Sequence, residues 1–389
     1  MRRLPLLALG LALTGFNLRI AVASVPPLLS DLERQPGMSS TVAGLLTSLP
    51  VLCFGVGAVV AAPLGRRFGG EGAIVLALVP LCAGTALRAV GSTGLLFAGT
   101  VLAGAGIAVG NVLVPAVVKA RFPAQIGLLM GLYTSLLGTG AAVAGGFAVP
   151  LEHATGWQGS LGLWTIPALV ALAVMTVALL RGHGGGVRGG VGDTLALLRS
   201  PLAWQVTLFF GVQSAIFYSG LAWLPSILRD HGFSASAAGA LNSVYALAGI
   251  PAALASPVIA ARLRDQRPVL LAFGFLEPLA IVGLLAAPGA SVLWVTAFAL
   301  GQGGSFSLSL TLMVLRAPDA RRAAELSGMA QAIGYSLAAL GPLLVGALHD
   351  LEGGWTASLL FLLALGAPML AAGLGASRSR LVPASSAAP

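Results

Sequence analysis

Apolar runs of twenty residues or more follow one another along most of this chain, and that property excludes almost every water-soluble fold. From Leu4 to Leu29 the only charged side chain is Arg19. Charged residues make up 8% of the sequence and hydrophobic ones 57%, with a mean hydropathy of +0.95. A soluble domain carries about 25% charged residues, so this chain cannot clothe a water-facing surface. A helix needs about 20 mostly apolar residues to cross a bilayer, with its backbone hydrogen bonds closed internally. Apolar runs between charged or Pro/Gly breaks predict twelve such helices: 4–29, 40–64, 73–91, 95–118, 126–151, 161–180, 201–228, 236–261, 268–287, 292–315, 323–348 and 355–376. The expected class is an all-α membrane protein with twelve transmembrane helices.

The start, "MRRLPLLALGLALTG", has the basic and then apolar order of a signal peptide. The apolar run continues past Arg19 with no small-residue cleavage site, so it reads as a retained first helix. Orientation follows from the basic residues. With the N-terminus inside, the outer loops hold Arg34 and Arg229, and Arg19 and Arg88 fall within helices; the remaining 17 of the 21 basic residues lie on the inner side. This places both termini in the cytoplasm and the protein in the cell's inner (plasma) membrane. It also accounts for the net charge of +9 as topology, so no nucleic-acid partner is expected. Cys53 and Cys82 lie in apolar runs, without disulfide or metal spacing. No cofactor or metal is expected.

The two halves repeat. "PPLLSD" (26–31) matches "PSILRD" (225–230), "GMSSTVAGLL" (37–46) matches "GFSASAAGAL" (232–241), and "GAGIAVGNVLVPAVVKA" (104–120) matches "GQGGSFSLSLTLMVLRA" (301–317). Six spans restore the starting side, so both copies face the same way. Two parallel, pseudo-symmetric six-helix bundles with a site at the midplane are the plan of a major facilitator transporter. The expected organisation is a first bundle over 1–181, a Gly-rich cytoplasmic linker over 182–200, a second bundle over 201–376 and a disordered cytoplasmic tail over 377–389. A monomer is the ordinary expectation for this plan.

Several segments resemble the cyanate/2-nitroimidazole (CynX/NimT) transporter family: "GFNLRIAV", "GNVLVPAVVKARFP" (110–123), "GLYTS" (131–135), "FFGVQSAIFYSGLAWLPSIL" (209–228), "GQGGSFSLSLTLMVLRA" (301–317) and "LSGMAQAIGYSLAALGPLLVGALHD" (326–350). The similarity covers nearly the whole chain. "PLGRRFGGEG" (63–72) resembles the facilitator signature between helices 2 and 3 but lacks its usual Asp. The resemblance implies transport of a small, compact solute by alternating access. It also implies that helices 1, 4, 7 and 10, with parts of 2, 5, 8 and 11, line the cavity.

Polar residues at matching depth on those helices are the candidate substrate ligands. Arg19 costs about 2.5–3.5 kcal/mol or more at mid-membrane depth. Its fork geometry suits a small anion or a nitro group; the competing reading is a structural ion pair, with Glu277 the only acid at comparable depth. Asn17, two residues away, cannot share Arg19's helix face, so it marks a distorted helix or a bond to a neighbouring one. Asn111 shares a stripe with Pro115 and Lys119. Tyr133 on helix 5, Gln213 and Phe217 on helix 7, Gln302 on helix 10, and Gln331 and Tyr335 on helix 11 complete the set. Single amides and hydroxyls otherwise serve as interhelical glue. "YSG" and "WLP" in helix 7 suggest a breakable outer half, the alternative being packing of Trp223 on helix 11. Glu277 is the candidate for proton coupling, because a carboxylate buried away from water is costly; a helix-packing bond is the alternative. Arg88, near the outer end of helix 3, is expected to snorkel to the interface.

These observations favour a secondary transporter of a small polar or anionic solute, a cyanate-like anion or a nitroimidazole-like heteroaromatic. A drug or metabolite efflux antiporter of the same fold is the alternative, on the Gly-rich "GTGAAVAGG" (138–146). His153, His183, His231 and His349 fall at loops or helix ends with no nucleophile or metal partner, which argues against an enzyme. The expected partners are the solute and membrane lipid.

Overall fold

The computed structural model describes residues 3–28, 32, 40–181 and 194–384. Arg2, Arg34, Arg188, the linker through residue 193 and the tail beyond 384 lie outside the described residues. All regular elements among the described residues are helical. They are α1 (Arg3–Ala23), α2 (Ser40–Phe68), α3 (Gly70–Leu87), α4 (Thr93–Arg121), α5 (Ile126–Leu163), α6 (Thr165–Leu180), a short helix Thr194–Leu198, α7 (Pro201–Asp230), α8 (Ala235–Ala248), α9 (Ile250–Arg262), α10 (Arg267–Gly274), α11 (Leu276–Ala286), α12 (Ser291–Leu315), α13 (Ala320–Ala338), α14 (Leu340–Glu352) and α15 (Thr356–Ala376).

Ten stretches are long and apolar enough to cross a membrane, and one of them, Pro123–Leu180, is 58 residues long and holds both α5 and α6. With that stretch counted as two and α2, 29 residues long, added, the described residues carry the twelve expected spans.

Proline explains where spans are segmented. The breaks at Trp164, Gly249, Phe275 and Ala339 each fall two or three residues before a proline: Pro167, Pro251, Pro278 and Pro342. Proline lacks the N–H that would close the preceding turn. Other prolines are absorbed: Pro115 sits inside an unbroken α4 and Pro225 inside an unbroken α7. The expected breakable outer half of helix 7 is therefore a continuous helix. Trp223 donates to the Pro342 carbonyl at 2.9 Å, which is the packing alternative. Within α5, the left-handed Gly156 (φ 73°) makes a turn that a side chain would strain.

The described residues group into two compact units. One holds residues up to Pro123 and those from Leu136 to Arg181; the other holds Ala124–Ser135 and everything from Thr194 on. In the first unit, α3 and α4 cross at touching distance, because a Cβ on Gly84 or on Gly99 would run into the other's carbonyl. Small residues at such crossings replace the hydrophobic drive that lipid does not supply. Val25, Leu28, Leu46, Leu96, Trp157 and Leu161 form an apolar cluster at one end. At the opposite end, Glu71 accepts from Arg121 Nε. The signature-like loop thus provides its acid from Glu71, although it lacks the usual Asp.

In the second unit, the first turns of α5 lie against α9. The Thr134 hydroxyl donates to the Ala253 carbonyl at 3.0 Å, and Gly131 faces the Leu254 carbonyl. Gly303 on α12 abuts the Gly249 backbone so closely that no Cβ fits.

Two expectations are corrected. The tail is not disordered from residue 377. Through Ala384 it lies against the second unit: Val382 is buried and donates its N–H to the Arg316 carbonyl at 2.8 Å, and Arg322 Nη2 donates to the Ala384 carbonyl at 2.9 Å. Buried arginines that need acceptors order a segment whose composition alone reads as unstructured. Arg88 does not snorkel: it is 1% exposed. Its stem runs along Gly99, where a Cβ would stand 3.2 Å from Arg88 Cγ, and its Nη1 donates to the Ala21 carbonyl on α1.

Candidate functional site

The polar centre of the second unit is a chain of side chains linking three helices. Gln213 on α7 donates from Nε2 to Gln302 Oε1 on α12 at 2.6 Å. Gln302 in turn donates from Nε2 to Glu277 Oε2 on α11 at 2.9 Å. At the other end the Ser214 hydroxyl donates to Gln213 Oε1 at 3.3 Å. All four residues are buried, and Gln213 and Glu277 are fully so.

Helical spacing builds the surroundings. Successive spans run in opposite directions, so one turn back along α7 meets one turn forward along α12. There Phe210 lies 6.3 Å from Phe306, and Tyr335 of α13 meets the Phe210 ring edge-on at 5.1 Å. In the other direction Tyr245 of α8 stands between Phe217 and Phe298, with centroids 5.9 Å and 5.1 Å away. Its hydroxyl donates to the Phe217 carbonyl at 3.3 Å. The amide–carboxyl chain is thus layered between two aromatic groups, whose members on α7 and α12 stand three or four residues from Gln213 and Gln302. The aromatics exclude water, and unpaired polar groups in such a place are expensive. Gly301 admits the carboxyl, since a Cβ there would lie 2.8 Å from Glu277 Cγ.

Among the candidates of this unit, the structure therefore joins Gln213, Gln302 and Glu277 directly, and sets Phe217 and Tyr335 in the flanking layers. Gln331 is buried one turn before Tyr335 on α13, and Tyr133 is buried on α5. The Gln213 and Gln302 amides each carry a second N–H besides the one that makes the bond described. Sequence reasoning missed Tyr245 and Ser214. Tyr245 carried a signal, as a tyrosine on a span expected to line the cavity; Ser214 carried none.

In the first unit Arg19 is half-buried on α1. Asn17 is turned away from it: its Nδ2 donates to the carbonyls of Leu13 at 2.8 Å and Pro167 at 3.1 Å, binding α1 to α6. That is the neighbouring-helix alternative, without helix distortion. Asn111 is buried on α4. Among the described residues there is no group of three or more His, Cys, Asp or Glu side chains placed to hold a metal ion.

Comparison with known proteins agrees with this architecture. The family model "Major Facilitator Superfamily" matches residues 7–342. The chain is 38% identical over 380 residues to the 2-nitroimidazole transporter of Escherichia coli (strain K12), covering 97% of this chain and 96% of that protein. It is 31% identical over 353 residues to the cyanate transport protein CynX of the same organism, covering 89% and 91%. Among solved structures, the proton:xylose symporter XylE aligns over 98% of both chains with a TM-score of 0.75 at 13% identity, a likeness of fold.

Proposed function

The chain belongs to the Major Facilitator Superfamily, whose members similar to it are transporters and not enzymes, and on that premise we propose that it moves a small anionic or nitro-bearing solute by alternating access. The observation that carries this reading is Arg19, a charge within an otherwise uncharged apolar segment, half-buried on α1. An intramembrane charge is costly and is a functional candidate by default. The guanidinium offers parallel N–H donors to a small planar anion or a nitro group. The relatives support the solute class by their names, one a 2-nitroimidazole and the other a cyanate transporter. The amides and tyrosines of the second unit are further candidate ligands, and they present donors suited to the same acceptors. The protein acts as a monomer in the cell's inner membrane with both termini cytoplasmic.

The test is flux into proteoliposomes, wild type beside Arg19→Gln, with cyanate, nitrate, 2-nitroimidazole and acetate. At least one solute should be transported by wild type and reduced by about a hundredfold or more in Arg19→Gln, the scale of a lost charge-assisted contact. Undiminished flux in a folded Arg19→Gln protein would assign Arg19 to structure instead.

A further inference from the structure

We infer that residues 378–384 form a strap across the α12–α13 turn, and that the end of the second unit where α15 finishes opens only once this strap lets go; the inference rests on the alternating-access reading given above. The segment leaves α15 at Ser377, whose carbonyl accepts from the Gln266 N–H at 3.1 Å, beside the start of α10. It then runs without regular structure past the end of α12 and the first turn of α13. Val382 donates its N–H at 2.8 Å to the carbonyl of Arg316, the residue that caps α12. Arg316 Nη1 donates in return to the Arg380 carbonyl at 3.4 Å. Arg322, in the first turn of α13, donates from Nη2 to the Ala384 carbonyl at 2.9 Å and from Nη1 to Glu325 Oε2 at 2.8 Å. The last carbonyls of a helix have no donor within it, so the tail supplies what α12 lacks at its end. One short segment thus ties α10, α12, α13 and α15 together.

The attachment is built to be reversible. Val382 is the one buried residue of the segment, at 2% exposure, and Leu381 beside it is 59% exposed. Ordering the segment's backbone costs conformational entropy comparable to what one buried valine and a few hydrogen bonds return. Contacts so near balance form and break readily. They also sit where they matter for the candidate ligands, because α12 carries Gln302 and α13 carries Gln331 and Tyr335. Gln302 lies about 20 Å along α12 from the strap. Splaying α12 and α13 away from α10 and α15 breaks the tail's bonds to Arg316 and Arg322.

The experiment compares the full chain in detergent, wild type, Val382→Asp and Leu381→Asp, by tryptic cleavage after Arg380 and by amide hydrogen exchange, with no solute added. Val382→Asp should free the tail and raise cleavage about tenfold or more, the scale of one buried valine side chain. Exchange in α12 and α13 should rise with it, back as far as Gln302 and Gln331. Leu381→Asp, on the exposed side, should match wild type in both readouts. A chain ending at Ser377 should reproduce the exchange pattern of Val382→Asp. The inference is overturned if Val382→Asp leaves the tail protected, or if the tail is freed and faster exchange stays within one turn of Arg316 and Arg322, the mark of a merely structural contact. It is equally overturned if Leu381→Asp acts as Val382→Asp does. Because no solute is present, failure of the nitrate, cyanate and nitroimidazole flux assays would sink the proposed solute class and leave this result to decide the strap.

Discussion

Arg88 in the first unit and Glu277 in the second are both ionisable groups buried from every side, yet the protein treats them differently. Glu277 receives an amide from Gln302, which is held by Gln213, which is held by Ser214. Three bonds thus join four side chains from three helices, with Glu277 Oε1 left without a hydrogen-bond partner. Arg88 receives a single backbone carbonyl and keeps two nitrogens unengaged. A chain of donors and acceptors that spans three helices fixes their positions, because breaking one member strands its neighbours.

The largest test of that contrast is Gln302→Leu. It removes the acceptor of Gln213 and the donor of Glu277 together, leaving two buried polar groups unmatched. Unfolding in detergent should show a loss of about 3 kcal/mol or more. A loss below about 1 kcal/mol would mean that the chain does not hold the helices, and the contrast with Arg88 would collapse.

Next in size is the helix crossing that brings this region together. Gly303→Ala places a methyl where the Gly249 backbone already lies, and overpacking of this kind costs about 1–3 kcal/mol. Gly84→Ala makes the equivalent test in the first unit, at the crossing with Gly99.

A smaller effect is expected from Glu277→Gln, which keeps the size and an oxygen acceptor for Gln302. Stability should fall by less than about 1.5 kcal/mol. The pH profile of solute flux should also be unchanged if Glu277 serves to orient the amides. A profile flattened by this substitution alone would instead assign Glu277 the coupling proton.

Smallest of all is the exposed pair at the junction of α9 and α10. Asp265 accepts from Arg267 Nε at 2.8 Å, and this bond holds its carboxyl below the usual carboxylate value. A depressed value in the folded state stabilises above the unfolded value, about 4, and is lost as pH falls through the folded one. The difference in melting temperature between wild type and Asp265→Asn should therefore be slight at neutral pH and vanish on acidification. A difference that grew on acidification would contradict the assignment. Exposure keeps the effect small.

Much of the scaffold was legible because crossing a bilayer is a local property. Each run of twenty apolar residues must close its own backbone bonds wherever its neighbours lie. The repeat was legible too, since "GAGIAVGNVLVPAVVKA" and "GQGGSFSLSLTLMVLRA" can be compared without knowing what they touch. Even the segmentation of spans had a visible cause in Pro167, Pro251, Pro278 and Pro342, although Pro115 and Pro225 show that proline alone does not decide it.

The sequence also named Gln213, Gln302 and Glu277 as candidates, but not that they bond to each other. It put Arg88 at the lipid interface, where the length of the side chain allows it to be, while the fold draws it inward to the end of α1. By itself, then, the sequence determined how many times the chain crosses and which side chains are too polar for lipid. The tertiary structure alone decided which of those side chains meet. Pairing depends on the rotation and crossing of helices distant in sequence, set by contacts such as Gly303 on Gly249 that no single segment contains.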